Sequence, residues 1–450
     1  MVVNTMGKQI LLSFEQDNDQ KGISFKSLLK RDNNWQKYKE KCKDILREVE
    51  VDEVEKLLGC GDFKNGFATF ICLNDGHTKR IPFSCKSRLC SRCGKKYTDE
   101  WTERIDKDMF SVIHRHIVLT ISDKLWGYFE KNSELLKLLM DTAGKTVKRM
   151  LWEFSRSGKS LIPGVIMVLH PYGSDLKTNP HVHMLVTEGG LTKDNHWHNQ
   201  PFIPYNILRR IWQYEILTAL RKRMPYDTKL NQIIDWCFTR RKNGFIIYAK
   251  DRIRGNKRGA IGYIGRYIRH PVISNKRIIS YDGAYVVFQY EDRDKQIQQK
   301  KMPVLEFIRD VLKHLPDKQF KMVRYYGLYS RRIRAKVYRI MKALKLFIKR
   351  TICHTSWRYS KKQYTGVDPL ACPVCGEIME LYSITYPYKG EMKTVGGIDW
   401  LIRRLCLLSV DKGEKDEKIQ KEEKEQDLKD LPLFKWTKRG VRGQVYLPGM

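Results

Sequence analysis

Apolar residues recur along the chain with two different periods, and each period predicts one kind of element. Short apolar runs between polar turns predict strands, and apolar positions three and four apart predict helices. The predicted strands are residues 115–121, 165–170, 179–186, 244–249 and 284–290. The predicted helices are residues 125–152 and 205–223. Because hairpin-joined strands alternate with helices, the sequence predicts an α+β fold with helices on one face of a sheet.

The predicted hairpin of residues 165–170 and 179–186 contains a pair of histidines. Side chains alternate between faces along a strand, so His181 and His183 point the same way and Val182 points to the opposite face. Two neutral imidazoles aimed at one point can bind a metal ion. The triplet alone is equally compatible with two half-buried histidines, so the rest of the chain must decide between these interpretations.

A second candidate site lies further along the chain, before Pro271. If this segment is helical, and Pro271 gives it a natural end, Tyr263 and Tyr267 share one face about one turn apart. Such a pair is usually core packing. Between Arg266 and Arg269, in a strongly basic chain, it can instead supply two nucleophiles. A phenolate can attack a phosphodiester when a metal ion polarises the phosphate and arginines offset the developing charge.

The charge of the chain points to one class of partner. Its 450 residues, enough for two or three domains, carry 85 lysines and arginines against 51 aspartates and glutamates. The formal net charge is therefore +34. An excess of this size predicts a polyanionic partner, because neutralised phosphates release counterions on binding.

The apolar runs and the cysteines indicate the compartment. The chain contains no run of about eighteen apolar residues, so no membrane span is expected. The apolar stretch near the N terminus is too short for a signal peptide. The 11 cysteines lie in knuckle-like clusters instead of a dispersed disulfide framework, which favours metal binding in a reducing compartment. We therefore expect a cytoplasmic, nucleoid-associated protein.

Five motifs follow one another in the order found in a known family. They are the cysteine region at residues 60–93, the strand at residues 115–121, Asn179-Pro180-His181-Val182-His183, the tyrosine segment at residues 263–277 and Arg324-Tyr325-Tyr326-Gly327-Leu328. In these motifs the chain resembles the HUH-type, two-tyrosine rolling-circle transposases of the insertion-sequence-ninety-one type. The resemblance extends from about residue 56 to about residue 335.

The resemblance implies an HUH nuclease domain, in which the histidine pair lies on a central strand of an antiparallel sheet beside the tyrosine helix. It also implies an enzyme that cleaves single-stranded DNA and transfers strands between the insertion-sequence ends and a target. In that chemistry Mg²⁺ or Mn²⁺ at His181 and His183 polarises the scissile phosphate. Tyr263 or Tyr267 then forms a 5′-phosphotyrosine, and the second tyrosine processes another strand.

A divalent cation bound by two histidines needs a third protein ligand. His170, at the end of the partner strand, is the preferred ligand, and Asp175 in the intervening loop is the alternative. Two other histidine pairs are interpreted as core, surface or loop residues. These pairs are His114 with His116 and His196 with His198.

The resemblance further implies a structural zinc site before the catalytic domain. Cys90 and Cys93 form a CxxC knuckle, and tetrahedral zinc needs a second pair of ligands. Relatives usually have another CxxC where this chain has Cys72-Leu73-Asn74-Asp75, which leaves the fourth ligand open. The preferred set is Cys72, His77, Cys90 and Cys93, with Cys60 and Cys85 as alternatives.

The C-terminal part of the chain contains a basic region and a further knuckle. Residues 301–365 are predicted to be helical and to bind the DNA backbone. The candidate DNA contacts of the whole chain are Arg88, Arg266, Arg269, Arg331 and Arg332. The knuckle of Cys372 and Cys375 has no clear second pair, and its zinc binding is left open. Candidate partners for it are Cys353, His354 and Cys406.

These patterns divide the chain into six regions and favour one function over two alternatives. The regions are an N-terminal helical arm (1–55), a zinc-binding domain (56–104), the HUH catalytic domain (105–300), the basic helical region (301–365), the CxxC knuckle (366–410) and a charged tail (411–450). The favoured function is transposition. The alternatives are a plasmid replication initiator or relaxase with the same chemistry, and a non-catalytic zinc-dependent DNA-binding protein.

Overall fold

The computed structural model describes residues 23–153, 161–200, 204–248, 252–253, 272–292, 294–347, 358, 362 and 366–403. The helices are α1 (Phe25–Lys30), α2 (Asn34–Lys41), α3 (Glu48–Leu58), α4 (Ser91–Asp108), α5 (Trp126–Phe129), α6 (Ser133–Glu153), α7 (Tyr205–Arg223), α8 (Thr228–Arg240), α9 (Val304–Leu312) and α10 (Arg334–Ala343). None of the described helices is long and apolar enough to cross a membrane.

The strands form four antiparallel groups. They are β1 (Phe67–Ile71), β2 (Thr78–Pro82), β3 (His114–Leu119), β4 (Gly164–Tyr172), β5 (Thr178–Thr187), β6 (Gly189–Leu191), β7 (Trp197–Asn199), β8 (Ile247–Tyr248), β9 (Arg252–Ile253), β10 (Ile278–Tyr281), β11 (Tyr285–Glu291), β12 (Ile297–Pro303), β13 (Val323–Gly327), β14 (Glu380–Tyr388) and β15 (Glu391–Gly396). The predicted α+β fold is confirmed.

The largest sheet contains the predicted hairpin. Its strand order is β13-β4-β5-β3-β8, and β9 also pairs with β3. The hairpin of β4 and β5 lies at the centre of this order, as the sequence predicts. The predicted helix at residues 125–152 is divided into α5 and α6, because Lys131 has a left-handed φ of 54° and Asn132 accepts the backbone N–H of Leu135 at 3.1 Å.

Both faces of this sheet are buried. Met167 and Val182 belong to a core formed with α6, α7 and α8, in which Trp212 is fully buried. Val168 and Leu185, an odd number of residues away on the same strands, belong to a second core formed with α4 and α10. The alternation of strand side chains therefore separates two apolar layers, and the histidines of the hairpin share the face of the second layer.

The N-terminal helices are not a separate arm. α1, α2 and α3 share one apolar core with the three-stranded sheet β10-β11-β12 and with α9. Phe307 of α9 links the two parts, because its ring centroid lies 6.1 Å from that of Phe25 and 5.4 Å from that of Phe288. Residues 25–58 and residues 278–312 thus bury one another's apolar surface.

The region of residues 301–365 is not wholly helical. It contains β13, which pairs with β4 at the edge of the largest sheet. Tyr325 and Tyr326 favour a strand, and Gly327 ends it with a φ of +56°. A Cβ at Gly327 would lie 1.7 Å from the carbonyl oxygen of Pro163, so only glycine fits this close approach. The basic residues that suggested helix are confined to α10 and its flanks.

The C-terminal hairpin belongs to the predicted zinc-binding region. β14 pairs with β1, which gives a four-stranded sheet in the order β15-β14-β1-β2. Leu381 and Ile384 of β14 pack with Phe70 and Ile81 in a small apolar core. The sequence predicts a CxxC knuckle at residues 366–410, and the structure joins the described part of it, residues 366–403, to strands that lie three hundred residues earlier in the chain.

Two histidines are buried outside the candidate site. The Nδ1 of His114 lies 2.9 Å from the carbonyl oxygen of Val112, and its Nε2 lies 2.6 Å from the Tyr329 hydroxyl. The Nε2 of His314 lies 2.8 Å from the carbonyl oxygen of Leu176. Burial lowers the pKa of each imidazole to about 4. Both rings are therefore neutral in the folded protein at neutral pH.

Acidification is expected to destabilise the fold through these two residues. An unfolded histidine takes up a proton near pH 6.5, whereas folded His114 does so only near pH 4. The free energy of unfolding therefore decreases as the pH is lowered from 6.5 to 4. Between pH 7 and pH 5 the loss is about 2 kcal/mol for each residue. Denaturant titrations of His114→Gln should show that much less pH dependence than the wild type. His196→Gln, an exposed control, should follow the wild type, and a His114→Gln curve parallel to the wild type would contradict this account.

Candidate active site and metal-binding clusters

Strand register brings three histidines together. His170 of β4 and His181 of β5 are directly opposite in the antiparallel ladder, and His183 is opposite Val168. Side chains two residues apart on β5 point to one face, so all three imidazoles lie on the same side of the hairpin. Leu169 and Val182 point to the opposite side, where both are fully buried. The buried apolar residues therefore fix which face the histidines occupy.

The three rings form a compact group. Their candidate ligand atoms all lie within 4.8 Å of one another. The ring centroid of His170 is 5.1 Å from that of His181 and 4.9 Å from that of His183, and the remaining pair is 5.0 Å apart. His170 and His183 are only 6% and 4% exposed, and His181 is half-buried. The sequence preference for His170 as the third residue is thus matched by its position.

The surroundings favour neutral imidazoles. Burial lowers the pKa of His181, although the carbonyl oxygen of Asn179, 2.6 Å from its Nδ1, acts in the opposite direction. The pKa of His183 lies well below its usual range because of burial first, and then because of the neighbouring His181 and His116. Neutral imidazoles have the lone pairs that a metal ion requires.

His116 is a functional candidate that the sequence analysis did not select. Its Nε2 lies 3.0 Å from the Nδ1 of His183, and the two rings are stacked with centroids 5.3 Å apart. Metal-binding histidines usually donate their second ring N–H to a partner that fixes the tautomer. If His183 uses Nε2 for the metal, its Nδ1–H donates to His116. The diagonal register of β3 and β5, which sequence alone does not give, creates this contact.

The other candidates in this part of the chain lie elsewhere. Asp175 stays within its own loop, where its carboxylate accepts the backbone N–H of Lys177 at 3.2 Å and pairs with the ammonium group of Lys177 at 3.5 Å. Of the described residues, the histidine group includes no carboxylate. His196 is exposed in a turn, as the sequence predicts, whereas His198 lies on the short strand β7 and not in a loop.

A second cluster consists of Cys60, Cys85, Cys90 and Cys93. The Sγ atoms of Cys60 and Cys90 are 3.7 Å apart, and those of Cys85 and Cys93 are 3.6 Å apart. All four thiols are free. A tetrahedron with zinc–sulfur bonds of about 2.3 Å has edges of roughly 3.8 Å, whereas a disulfide would bring two sulfurs to about 2.05 Å. The cluster thus fits zinc and excludes a disulfide in this conformation.

The thiol pKa values of this cluster shift in opposite directions, because mutual hydrogen bonds raise those of Cys85 and Cys90 and lower those of Cys60 and Cys93. Hydrogen bonds from Cys85 and Cys90 lower the pKa of the Cys60 thiol to about 7, and hydrogen bonds from its three neighbours lower that of Cys93 further. The cluster is anchored at α3, where Ser87 donates to the carbonyl oxygen of Glu53 at 2.7 Å. Thiolates are the form that binds zinc.

The preferred zinc set from the sequence is divided by the structure. Cys90 and Cys93 join Cys60 and Cys85, which were the alternatives. Cys72 lies in the β1–β2 turn and forms a third group with Asp75, Cys372 and Cys375. His77 is the last residue of this turn and, among the described residues, belongs to none of the three groups. Closeness in sequence does not bring Cys72 next to Cys90 and Cys93, because the turn that begins at Cys72 and the turn of Cys90 and Cys93 face different sites.

Several predicted residues cannot be placed in this geometry. Tyr263, Tyr267, Arg266 and Arg269 lie outside the described residues, as do Cys353, His354 and Cys406. Arg331 and Arg332 are exposed just before α10. Arg88 is half-buried, and its backbone N–H donates to the Glu53 carboxylate at 2.6 Å.

Comparison with known proteins places the chain in a family. Residues 164–336 match a family model described as "Putative transposase", and residues 31–121 match a model described as "Transposase zinc-binding domain". The chain is 31% identical over 349 residues to the transposase for insertion sequence element IS801 of Pseudomonas savastanoi pv. phaseolicola, covering 74% of this chain and 83% of that protein. The chain belongs to this transposase family.

A second relative is "Putative transposase y4qJ" of Sinorhizobium fredii (strain NBRC 101917 / NGR234). The two chains are 28% identical over 327 residues, which cover 68% of this chain and 81% of that protein. No solved structure matches the transposase. The predicted resemblance to transposases of the insertion-sequence-ninety-one type is thereby confirmed. The zinc-binding match contains Cys60, Cys85, Cys90 and Cys93, and the other match contains the three histidines and both tyrosines.

The contact between His116 and His183 generates a prediction about metal affinity. Because His116 would hold the His183 ring in its ligating orientation, His116→Ala should weaken Mn²⁺ binding about 10- to 100-fold. His116→Gln, which can still accept a hydrogen bond, should restore part of that loss. Titration of the protein with Mn²⁺, followed by electron paramagnetic resonance of the free ion, measures the affinity.

The matched control is His196→Ala, which removes an exposed histidine outside the group. It should leave the Mn²⁺ affinity unchanged. Equal affinities of wild-type protein and His116→Ala would show that His116 does not position His183.

Proposed function

We propose that this transposase cleaves and rejoins single-stranded DNA by rolling-circle chemistry, through a 5′-phosphotyrosine intermediate. The observation that carries the proposal is the convergence of His170, His181 and His183 on two paired strands of the central sheet. Three imidazoles at one point, of which those of His170 and His183 are buried, provide a site for a divalent cation in a protein family that acts in transposition. The tyrosine pair follows the histidine hairpin in the sequence, in the motif order of the family.

The residues present fit a divalent cation, and His170, His181 and His183 would hold it. When bound, the cation polarises the phosphate that is to be attacked. Nitrogen ligands suit a transition ion such as Mn²⁺ better than Mg²⁺, which prefers oxygen. Burial lowers the pKa of His181 and His183, which favours the neutral imidazole that a metal ion binds.

The nucleophiles of this proposal are Tyr263 and Tyr267. The phenolic oxygen of one tyrosine attacks the scissile phosphorus, the bond from phosphorus to the 3′ oxygen breaks, and the phenolic proton is lost while the 3′ oxygen gains one. The products are a 5′-phosphotyrosine and a free 3′-hydroxyl. One ester replaces another, so rejoining needs no ATP. Arg266 and Arg269 flank the tyrosines in sequence and would offset the charge that develops.

Binding of DNA would depend on charge more than on base contacts. The net charge of +34 provides a general attraction for phosphate. Around α10, Arg331, Arg332 and Arg339 are exposed, while Val337 and Met341 bury the opposite side of the helix. This basic surface can follow a phosphate backbone. A single-stranded or melted substrate is expected because the phosphodiester must enter the site extended.

A covalent adduct tests the chemistry. Labelled single-stranded oligonucleotides from the ends of the insertion sequence, incubated with the protein and Mn²⁺, should give a band that survives denaturant. The adduct should disappear with EDTA, with His181→Ala and with the double variant Tyr263→Phe/Tyr267→Phe. Denaturing gels of the labelled DNA measure it.

His198→Ala is the matched control, since it removes the second histidine of the other His-x-His pair, on β7. It should keep the adduct. An adduct that persists in the double tyrosine variant would refute the assignment of the nucleophiles, and tight DNA binding without any adduct would favour a non-catalytic DNA-binding protein.

A further inference from the structure

The β1–β2 turn has the backbone of a metal knuckle. The strands end at the pair Ile71 and Thr78, and Cys72 begins the turn. The N–H of Cys72 donates to the carbonyl oxygen of His77 at 2.8 Å, and the N–H of Gly76 donates to the carbonyl oxygen of Cys72 at 2.9 Å. Gly76 has a φ of +72°, which favours glycine at this position.

A second turn, far along the chain, repeats this pattern position by position. Ala371 and Ile378 form an antiparallel bridge around it. The N–H of Cys372 donates to the carbonyl oxygen of Glu377 at 2.8 Å, and the N–H of Gly376 donates to the carbonyl oxygen of Cys372 at 3.0 Å. Gly376 has a φ of +79°. In this correspondence Cys372 matches Cys72, and Cys375 occupies the place that Asp75 has in the first turn.

The two turns face each other. The Sγ atoms of Cys72 and Cys375 are 3.4 Å apart, and the Sγ of Cys372 lies 3.2 Å from a carboxylate oxygen of Asp75. The four candidate ligand atoms all lie within 4.8 Å of one another. Cys72 and Cys372 are 1% and 3% exposed, whereas Asp75 and Cys375 are exposed at the edge. One side of the group is therefore sealed by the small core of this sheet, and the other side is open to an incoming ion.

We propose that Cys72, Asp75, Cys372 and Cys375 bind a second structural zinc ion with three thiolates and one carboxylate. With zinc–sulfur bonds of about 2.3 Å and a zinc–oxygen bond of about 2.0 Å, a tetrahedral site has edges of roughly 3.5 to 3.8 Å. The observed separations are close to these edges and too long for a disulfide. A carboxylate is a normal zinc ligand, so Asp75 completes the set where a second CxxC would supply a thiolate.

This site would connect two distant parts of the transposase. Cys372 and Cys375 lie beyond the residues that match the family models, which end at residue 336. Their ligation to the β1–β2 turn would hold the β14–β15 hairpin on the zinc-binding region, next to the strand pairing of β1 and β14. The inference does not depend on the nuclease chemistry, because it concerns ligands on a different sheet.

The zinc content of purified full-length protein tests the proposal. Two structural zinc ions per chain are expected, and metal analysis after dialysis should show one fewer in Cys372→Ser/Cys375→Ser. All proteins carry His181→Ala, so that the histidine site does not contribute. The control Cys42→Ser, which removes a half-buried cysteine outside both clusters, should keep the full content. An unchanged zinc content in the double variant would overturn the proposal.

A variant that exchanges the carboxylate ligand for a thiolate distinguishes loss of a ligand from misfolding. Asp75→Cys should retain the zinc content and restore the CxxC pattern of the first turn. After exchange with Co²⁺, in a background of Cys60→Ser/Cys85→Ser that removes the other cluster, its thiolate-to-metal absorbance should rise by about one third, because three thiolates become four. No increase in this absorbance would show that residue 75 does not face the metal, and would overturn the assignment.

Discussion

The register between β4 and β5 is the constraint on which the candidate active site depends. A shift of one residue would turn His181 and His183 towards the core of α6, α7 and α8 and would expose Val182 to the other face. Such a shift is opposed because it would move polar imidazoles into the apolar layer formed with α6, α7 and α8. The hairpin therefore positions the imidazoles by means of apolar side chains on its opposite face.

The same row of strand positions contains histidines with different tasks. His114 and His116 are neighbours on one face of β3, yet His114 is sealed beside Tyr329 and His116 contacts His183. In a chain with a net charge of +34, a cluster of protonated imidazoles would be strongly unfavourable. Burial favours the neutral form of His114, His181 and His183 and so avoids this repulsion. The positive charge is then carried by exposed lysines and arginines, which can bind phosphate.

The local pattern of apolar residues predicts individual strands and helices, but it does not predict which distant segments come into contact. The hairpin, the helix at residues 205–223 and the grouping of His170 with the histidine pair could be predicted, because strand alternation and helical periodicity are local properties. The grouping of the cysteines could not be, because Cys72 lies within about twenty residues of Cys60, Cys85, Cys90 and Cys93 but three hundred residues from Cys372, beside which it folds. Only the pairing of β1 with β14 shows that Cys372 and Cys375 are its neighbours.

The placement of cysteines follows from how little apolar surface the smaller sheets can bury. The sheet of β1, β2, β14 and β15 has a small core around Phe70, Ile81 and Leu381. A core of this size contributes little stability, and ligation of a metal ion adds free energy that an unfolded chain cannot recover. The largest sheet, with two apolar layers, has more buried apolar surface to hold its histidines in place. In the function proposed above, these imidazoles would already be in position before an ion binds.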